Sequence, residues 1–149
     1  MNKKIISCIV FLLILFIFVA SDANSEECFS YEPTKVTLTG TIIVKTFPGP
    51  PEFESIEKGD RPETYWILKI KRPVCVNGDP KDEVNLETEK NVQDMQLVLS
   101  IGKYARYKHL VTKQVVVDGT LFHAITGHHH TKVLLEVTSI KPAKDENKK

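Results

Sequence analysis

The stretch that decides the fold is residues 115–140, VVVDGTLFHAITGHHHTKVLLEVTSI. Apolar and polar residues alternate on both sides of its centre, which predicts β-strands over residues 114–123 and 132–140. The stretch carries four of the five histidines of the chain, and three of them fall in the short connection between the strands. Loops held on a rigid frame often carry binding residues. This connection is therefore the first candidate for a functional site.

Three earlier segments have the same alternating pattern and are also predicted to be strands: residues 36–44, 65–71 and 95–101. Apolar residues at helical spacing predict one short helix over residues 103–112. A helix between the third and fourth of five strands is the order of an OB-fold. We therefore predict a mainly β protein, a small five-stranded OB-like Greek-key barrel with one short helix. A β-sandwich of similar strand count is the alternative.

Two of the predicted strands contain a glycine in the same position of the pattern. Residues 36–42 and 115–121 both alternate up to a Gly-Thr pair, with Gly40 in the first and Gly119 in the second. A glycine inside an alternating strand indicates a bulge or a tight bend. We expect the chain to bend at both positions.

The N-terminus has the composition of a targeting segment. Lys3 and Lys4 precede an apolar run over residues 5–20, and Ser21 and Ala23 are small residues suited to a cleavage site. We expect a signal peptide over residues 1–23 and a periplasmic or secreted protein. An uncleaved anchor is the alternative, but the run is shorter than the roughly 20 residues that span a bilayer. No membrane span is expected after cleavage.

The rest of the chain divides into three parts by composition. We expect an N-terminal arm over residues 24–34, the OB-like domain over residues 35–141, and a disordered charged tail over residues 142–149. The whole chain has 20 basic and 19 acidic residues. Binding of nucleic acid depends on an excess of Lys and Arg, so we expect no nucleic-acid partner. We expect a monomer.

Cysteine usage agrees with export. Cys8 lies in the predicted signal peptide, which leaves Cys28 and Cys75 as a pair. In an oxidising compartment such a pair is predicted to form a disulfide. Two free structural thiols are the alternative.

Several short motifs are shared with a known family. They are Gly49-Pro50-Pro51, Trp66-Ile67-Leu68, Pro73-Val74-Cys75-Val76, Gln96-Leu97 and Gly119-Thr120-Leu121-Phe122-His123-Ala124 with Thr126-Gly127-His128-His129-His130-Thr131. On these motifs the chain resembles a family of exported bacterial domains of unknown function (DUF4431-like), from about residue 36 to residue 140. The resemblance implies secretion and a compact β-rich domain, and it implies no activity.

The position of two loops predicts a binding site. In an OB-fold, ligands commonly meet the outer face of the second and third strands, between the first–second and fourth–fifth loops. Here those loops are residues 47–63, which are rich in proline and glycine, and residues 124–131. The predicted ligand-binding residues on and between them are Phe53, Tyr65, Lys69, His128, His129 and His130.

Three functions are compatible with this site. We expect a non-catalytic module without a cofactor that binds an envelope protein or glycan. The alternative is a zinc or copper protein, because His128 and His130 project to one side of an extended strand and His123 could supply a third nitrogen. Hydrogen bonding within the fold is the competing role for these histidines.

No nucleophile motif is present, so we expect no catalytic residues. A hydrolytic enzyme is the second alternative, and it requires a His–carboxylate contact beside a pocket, for example with Asp118 or Glu136.

Overall fold

The structure, a computed structural model, describes residues 28–144. It contains one six-stranded sheet and one short α-helix. The strands are β1 (Cys28–Ser30), β2 (Lys35–Pro48), β3 (Pro62–Asn77), β4 (Glu89–Val98), β5 (Gln114–His123) and β6 (Val133–Pro142), and the helix is α1 (Lys103–Tyr107). The prediction of a mainly β protein with one short helix is confirmed. The predicted signal peptide and residues 145–149 of the predicted tail lie outside the described residues.

The strand pairings link the five long strands in the order β3, β2, β5, β6 and β4. β2 is antiparallel to β3 on one side and to β5 on the other. β5 is antiparallel to β6, β6 is parallel to β4, and β4 is antiparallel to β3. The pairings therefore return to the strand from which they started.

Several predicted boundaries differ from the structure. β2 and β3 extend at both ends beyond the predicted residues 36–44 and 65–71, so both ends of the predicted loop over residues 47–63 are strand. β1 was not predicted, since it has only three residues, and it pairs in parallel with the end of β3. β4 begins at Glu89, before the predicted start at residue 95, and ends at Val98, before the predicted end at residue 101. The helical segment is shorter than expected, because α1 ends at Tyr107 and a 3₁₀ turn, Lys108–Leu110, follows it. Pro142, placed in the predicted tail, belongs to β6.

The apolar core consists of the side chains on one face of the sheet. In β2 it follows the predicted alternation. Val36, Leu38 and Ile42 are buried, as expected, whereas Val44 is 47% exposed and does not join them. The side chain of Val44 borders a surface hollow with Trp66 and Tyr104 instead. Core residues from the other long strands include Leu68, Met95, Leu97, Val115, Val117, Leu121, Val133 and Leu135.

The structure differs between the two glycine positions at which a bend was predicted. At Gly119 the pairing of β5 with β6 shifts register, which confirms the predicted bulge, and a Cβ atom there would overlap the carbonyl oxygen of Glu136. At Gly40 a Cβ atom would lie 2.6 Å from the carbonyl oxygen of Lys69. Gly40 is also the first residue of β2 that pairs with β3. Both glycines permit a close approach of two strand backbones.

The predicted disulfide is confirmed. Cys28 in β1 is bonded to Cys75 in β3, and their Cα atoms are 4.4 Å apart. The two residues are also direct partners in the parallel pairing of these strands. The bridge therefore ties the start of the described chain to the middle of the sheet.

Candidate functional site

The loop between β5 and β6, residues 124–132, is fixed to β4 by one buried side chain. Gln96 is 2% exposed. Its side-chain NH₂ donates a hydrogen bond to the carbonyl oxygen of His128 (2.9 Å), and its side-chain oxygen accepts one from the backbone N–H of His130 (2.8 Å). The backbone N–H of Gln96 donates to the hydroxyl of Thr131 (2.8 Å). The loop therefore has one defined position on the outer face of the sheet.

Beneath this loop lies a small apolar layer that is separate from the main core. Ile67 and Leu134 are fully buried, yet neither belongs to the core cluster. The two residues lie on either side of Gln96 in the strand register. Their side chains point outward from the sheet, since the neighbouring Leu68 and Leu135 point inward. The loop buries this outward-facing row.

Glu63 joins the two predicted binding loops. Its Oε2 atom accepts hydrogen bonds from His128 Nδ1 (2.8 Å) and from the Tyr65 hydroxyl (2.9 Å). The hydrogen bond from His128 lowers the pKa of the Glu63 carboxyl, and burial raises the pKa of Tyr65 to about 12. The Phe53 ring packs edge-on against the His128 ring, with centroids 5.1 Å apart. The structure therefore brings three of the predicted residues, Phe53, Tyr65 and His128, together around Glu63.

His130 lies deeper than its neighbours in the loop. Its ring stacks on Phe47 with centroids 4.3 Å apart and planes 1° apart, and the Tyr65 ring lies 5.2 Å away. The side chain is 10% exposed. Its Nε2 atom has no hydrogen-bond partner among residues 28–144 and lies 4.0 Å from Glu63 Oε2. Burial lowers the pKa of His130, so the ring is neutral at pH 7.

His129 has a structural contact of its own. Its Nδ1 atom accepts a hydrogen bond from the backbone N–H of Ile125 (3.0 Å), and its ring packs edge-on against Phe122. An accepting Nδ1 carries no proton, and burial lowers the pKa of His129. The ring is therefore held in its neutral form, with the proton on Nε2.

His123 lies at a different carboxylate from the other predicted metal ligands. Its Nε2 atom is 3.2 Å from Glu89 Oε1, and Lys132 Nζ is 2.9 Å from Glu89 Oε2. The predicted set of three histidines is thus divided between Glu63 and Glu89. Within residues 28–144, no group of three or more His, Cys, Asp or Glu side chains is placed to hold a metal ion.

A polar groove opens beside the fixed loop, between β2, β4 and the middle of β3. We call it the lysine groove, and its cavity volume is about 410 Å³. Lys45 Nζ is 2.6 Å from Asp94 Oδ2, so this lysine is paired. Lys69 and Lys90 are exposed and have no ion-pair partner in the described part of the chain. The residues that line the groove include Lys45, Lys69, Lys90, Lys132, Phe47 and His130.

Three residues of the site were missed at the sequence level. Glu63 shares the alternation of Tyr65, Ile67 and Lys69, and this period of two could have revealed it. Gln96 is a polar residue inside an apolar strand, which is the usual sign of a hydrogen-bonded buried amide. Glu89 lies outside the predicted strand over residues 95–101 and received no role at the sequence level. The His–carboxylate contacts that a hydrolytic enzyme would need are made with Glu63 and Glu89 rather than with Asp118 or Glu136, and Glu89 lines the lysine groove.

The histidine loop is expected to make folding stability depend on pH. Burial lowers the pKa values of His129 and His130 below the usual histidine value of 6.5, so the unfolded chain binds protons more readily. The free energy of unfolding should therefore be highest above pH 6.5 and should fall as the pH drops through the lowered values. Urea titrations at pH 8, 7, 6 and 5 would measure this.

A matched variant identifies the cause. In His129→Asn/His130→Gln the asparagine oxygen can still accept from Ile125, but neither side chain titrates. The variant should lose less stability than the wild type between pH 7 and pH 5. An equal loss in both proteins would contradict the assignment to these two rings.

Comparison with known proteins supports the family resemblance. Residues 94–141 match a family described as a domain of unknown function (DUF4431). The match includes Gln96, the loop and all four clustered histidines, and the predicted resemblance is confirmed over these residues. No curated protein matches the chain. Among residues 28–144, no helix is long and apolar enough to span a membrane.

Proposed function

We propose that this chain, which carries a DUF4431 domain over residues 94–141, is an exported, non-catalytic binding module built as an OB-like barrel. Its ligand is a glycan or a protein of the cell envelope, held on the outer face of the sheet. The observation that carries the proposal is the lysine groove, which opens beside a loop fixed by Gln96. A rigid loop next to an open polar groove is suited to binding.

The strand pairings support the OB-like barrel. The first and second long strands pair, the second pairs with the third, and the third is parallel to the fifth. The fifth pairs with the fourth, which returns to the first. This is the connectivity of a closed Greek-key sheet, with α1 between its third and fourth long strands. The lysine groove then lies where OB-folds commonly bind ligands.

The chemistry of the groove favours a polar ligand that carries negative charge. Two of its four lysines have no ion-pair partner among the described residues, its two carboxylates (Glu89 and Asp94) are each paired with a lysine, and the lining also contains Gln93. Ammonium and amide groups donate hydrogen bonds to hydroxyl, carboxylate and phosphate oxygens. The volume of about 410 Å³ lies within the usual range for ligand sites. An acidic envelope glycan fits this set better than an apolar ligand.

The hydrogen bonds of the histidines favour a non-catalytic role, although His123 with Glu89 is the kind of His–carboxylate contact beside a groove that a hydrolytic enzyme would need. His128 Nδ1 is bonded to Glu63, His129 Nδ1 to the backbone of Ile125, and His123 Nε2 to Glu89. A hydrolase of the triad type needs a hydroxyl or thiol nucleophile at hydrogen-bonding distance of such a histidine. Among residues 28–144, the hydrogen-bond partners given for these rings are carboxylates and backbone atoms, and the sulfurs of Cys28 and Cys75 are bonded to each other. The histidines hold the loop and its neighbours together.

Calorimetric titration with envelope glycans tests the proposal. The panel consists of soluble peptidoglycan fragments and lipopolysaccharide-core oligosaccharides. In a Lys69→Ala/Lys90→Ala variant we expect the affinity for the bound glycan to fall by about tenfold or more, because each charge-assisted hydrogen bond contributes about 1.5–3 kcal/mol.

The matched control is Lys58→Ala/Lys81→Ala, which removes two exposed lysines that do not line the groove. Its affinity should equal that of the wild type. If the groove variant also binds as tightly as the wild type, the ligand lies elsewhere. If no glycan binds, the glycan half of the proposal is wrong.

A further inference from the structure

β2 and β3 separate at one point of the sheet and leave two strand edges unpaired. Their pairing runs from Pro48 with Pro62 to Gly40 with Ile70 and ends there. Beyond this point, residues 35–39 of β2 pair only with β5. On its β2-facing side, β3 has no partner from residue 71 until Cys75 pairs with β1. Residues 36–39 and 71–74 therefore face each other without a backbone pairing between them.

The separation is built into the sequence of β3. Pro73 has no backbone N–H, so this position cannot donate to a neighbouring strand. The pairing of β3 with β4 also shifts register between Lys69 and Val74. A shift of this kind bends the strand and increases its twist. The bend carries residues 71–74 away from β2.

A groove of about 770 Å³ occupies the space between the separated strands. We call it the splayed-strand groove. Its floor contains the buried apolar side chains of Leu38, Ile70 and Val74. Its rim contains the exposed cations Lys71 and Arg72, which have no ion-pair partner among residues 28–144. Further rim residues are Thr37, Thr39, Lys69, Gln93 and Gln114, and no carboxylate of residues 28–144 lines the groove.

We propose that the splayed-strand groove binds an extended acidic peptide segment of a partner protein as an added β-strand. Unpaired strand edges supply N–H and C=O groups that an incoming strand can bind. Side chains of a strand alternate between its two faces. Those that face inward would meet Leu38, Ile70 and Val74, and those that face outward would meet Lys71 and Arg72. The groove therefore selects a segment in which apolar and acidic residues alternate.

This site differs from the lysine groove in both chemistry and position. The apolar floor and free strand edges suit a peptide, whereas a glycan offers no backbone for strand pairing. The two grooves share Lys69 and Gln93 at their boundary. Lys71 and Arg72 line only the splayed-strand groove, so their substitution leaves the lysine groove intact and the two proposals can fail independently.

The test uses a displayed library of random octapeptides selected on the oxidised chain from residue 24 to residue 149. We expect enrichment of peptides that alternate apolar residues with Asp or Glu. A synthetic peptide of the enriched sequence should bind Lys71→Glu/Arg72→Glu at least about tenfold more weakly than the wild type. Lys81→Glu/Lys144→Glu, which makes the same charge change on other exposed lysines, should bind as the wild type does.

Two further measurements separate strand addition from simple charge attraction. The backbone amides of residues 36–39 should become protected from hydrogen exchange when the peptide is bound. A peptide with Lys in place of Glu should bind the Lys71→Glu/Arg72→Glu variant better than it binds the wild type. Four results would overturn the proposal: no enriched peptide, enrichment without acidic residues, equal binding to the charge variant, or no protection of residues 36–39. Displacement of the peptide by an equal charge concentration of polygalacturonate would assign the groove to anionic glycans instead.

Discussion

Replacing Cys28 and Cys75 with serine is expected to lower the free energy of unfolding by roughly 4 kcal/mol. The bridge closes a sequence separation of 47 residues, and a crosslink of that length removes many conformations from the unfolded chain. β1 has only three residues, so strand pairing alone holds it weakly. Urea unfolding of the wild type and of the double variant would measure the difference.

Reduction of the wild type provides the control for this prediction. Dithiothreitol should destabilise the wild type by a similar amount and leave the Cys28→Ser/Cys75→Ser variant unchanged. A loss below about 1 kcal/mol in both experiments would show that the bridge does not constrain the unfolded chain in the way that loop-closure entropy predicts.

Replacing Gln96 with leucine is expected to lower the free energy of unfolding by about 2–5 kcal/mol. Leucine has a similar volume but cannot bind the carbonyl of His128 or the N–H of His130, and each unsatisfied buried group costs about 1–3 kcal/mol. The loop over residues 124–132 should also become more mobile, because two of its three hydrogen bonds to Gln96 are lost. Hydrogen exchange at the His130 amide would report this directly.

The matched control for Gln96→Leu is Gln93→Leu in the same strand. Gln93 is exposed, so its substitution should change the free energy of unfolding by no more than about 0.5 kcal/mol. If exchange at the His130 amide is as slow in Gln96→Leu as in the wild type, Gln96 does not fix the loop.

Most of the fold could be predicted because it depends on a period that is visible along the chain. Alternation identified the five long strands, and helical spacing identified α1. The start of β4 was missed because Glu89 looks like a surface residue. In the structure its carboxylate is buried between His123 and Lys132, and these partners are more than 30 residues away in sequence.

The site was predicted only in part, because several of its contacts also join residues that are far apart in sequence. The loops were expected to flank one region, and the structure brings Phe53, Tyr65 and His128 together there. The carboxylate that joins the loops, Glu63, is 65 residues from His128. No local pattern reports such a contact. The same distance effect explains why His123 could not be separated in advance from His128 and His130.

Amide chemical-shift mapping with the tightest-binding envelope glycan tests the outer-face site most directly. The largest shifts are expected at residues that line the lysine groove, above all Lys45, Lys69, Lys90 and Lys132, and they should be absent in Lys69→Ala/Lys90→Ala. Shifts confined to the apolar hollow at Trp66 and Tyr104, or a pattern unchanged in that variant, would contradict a binding site beside the histidine loop.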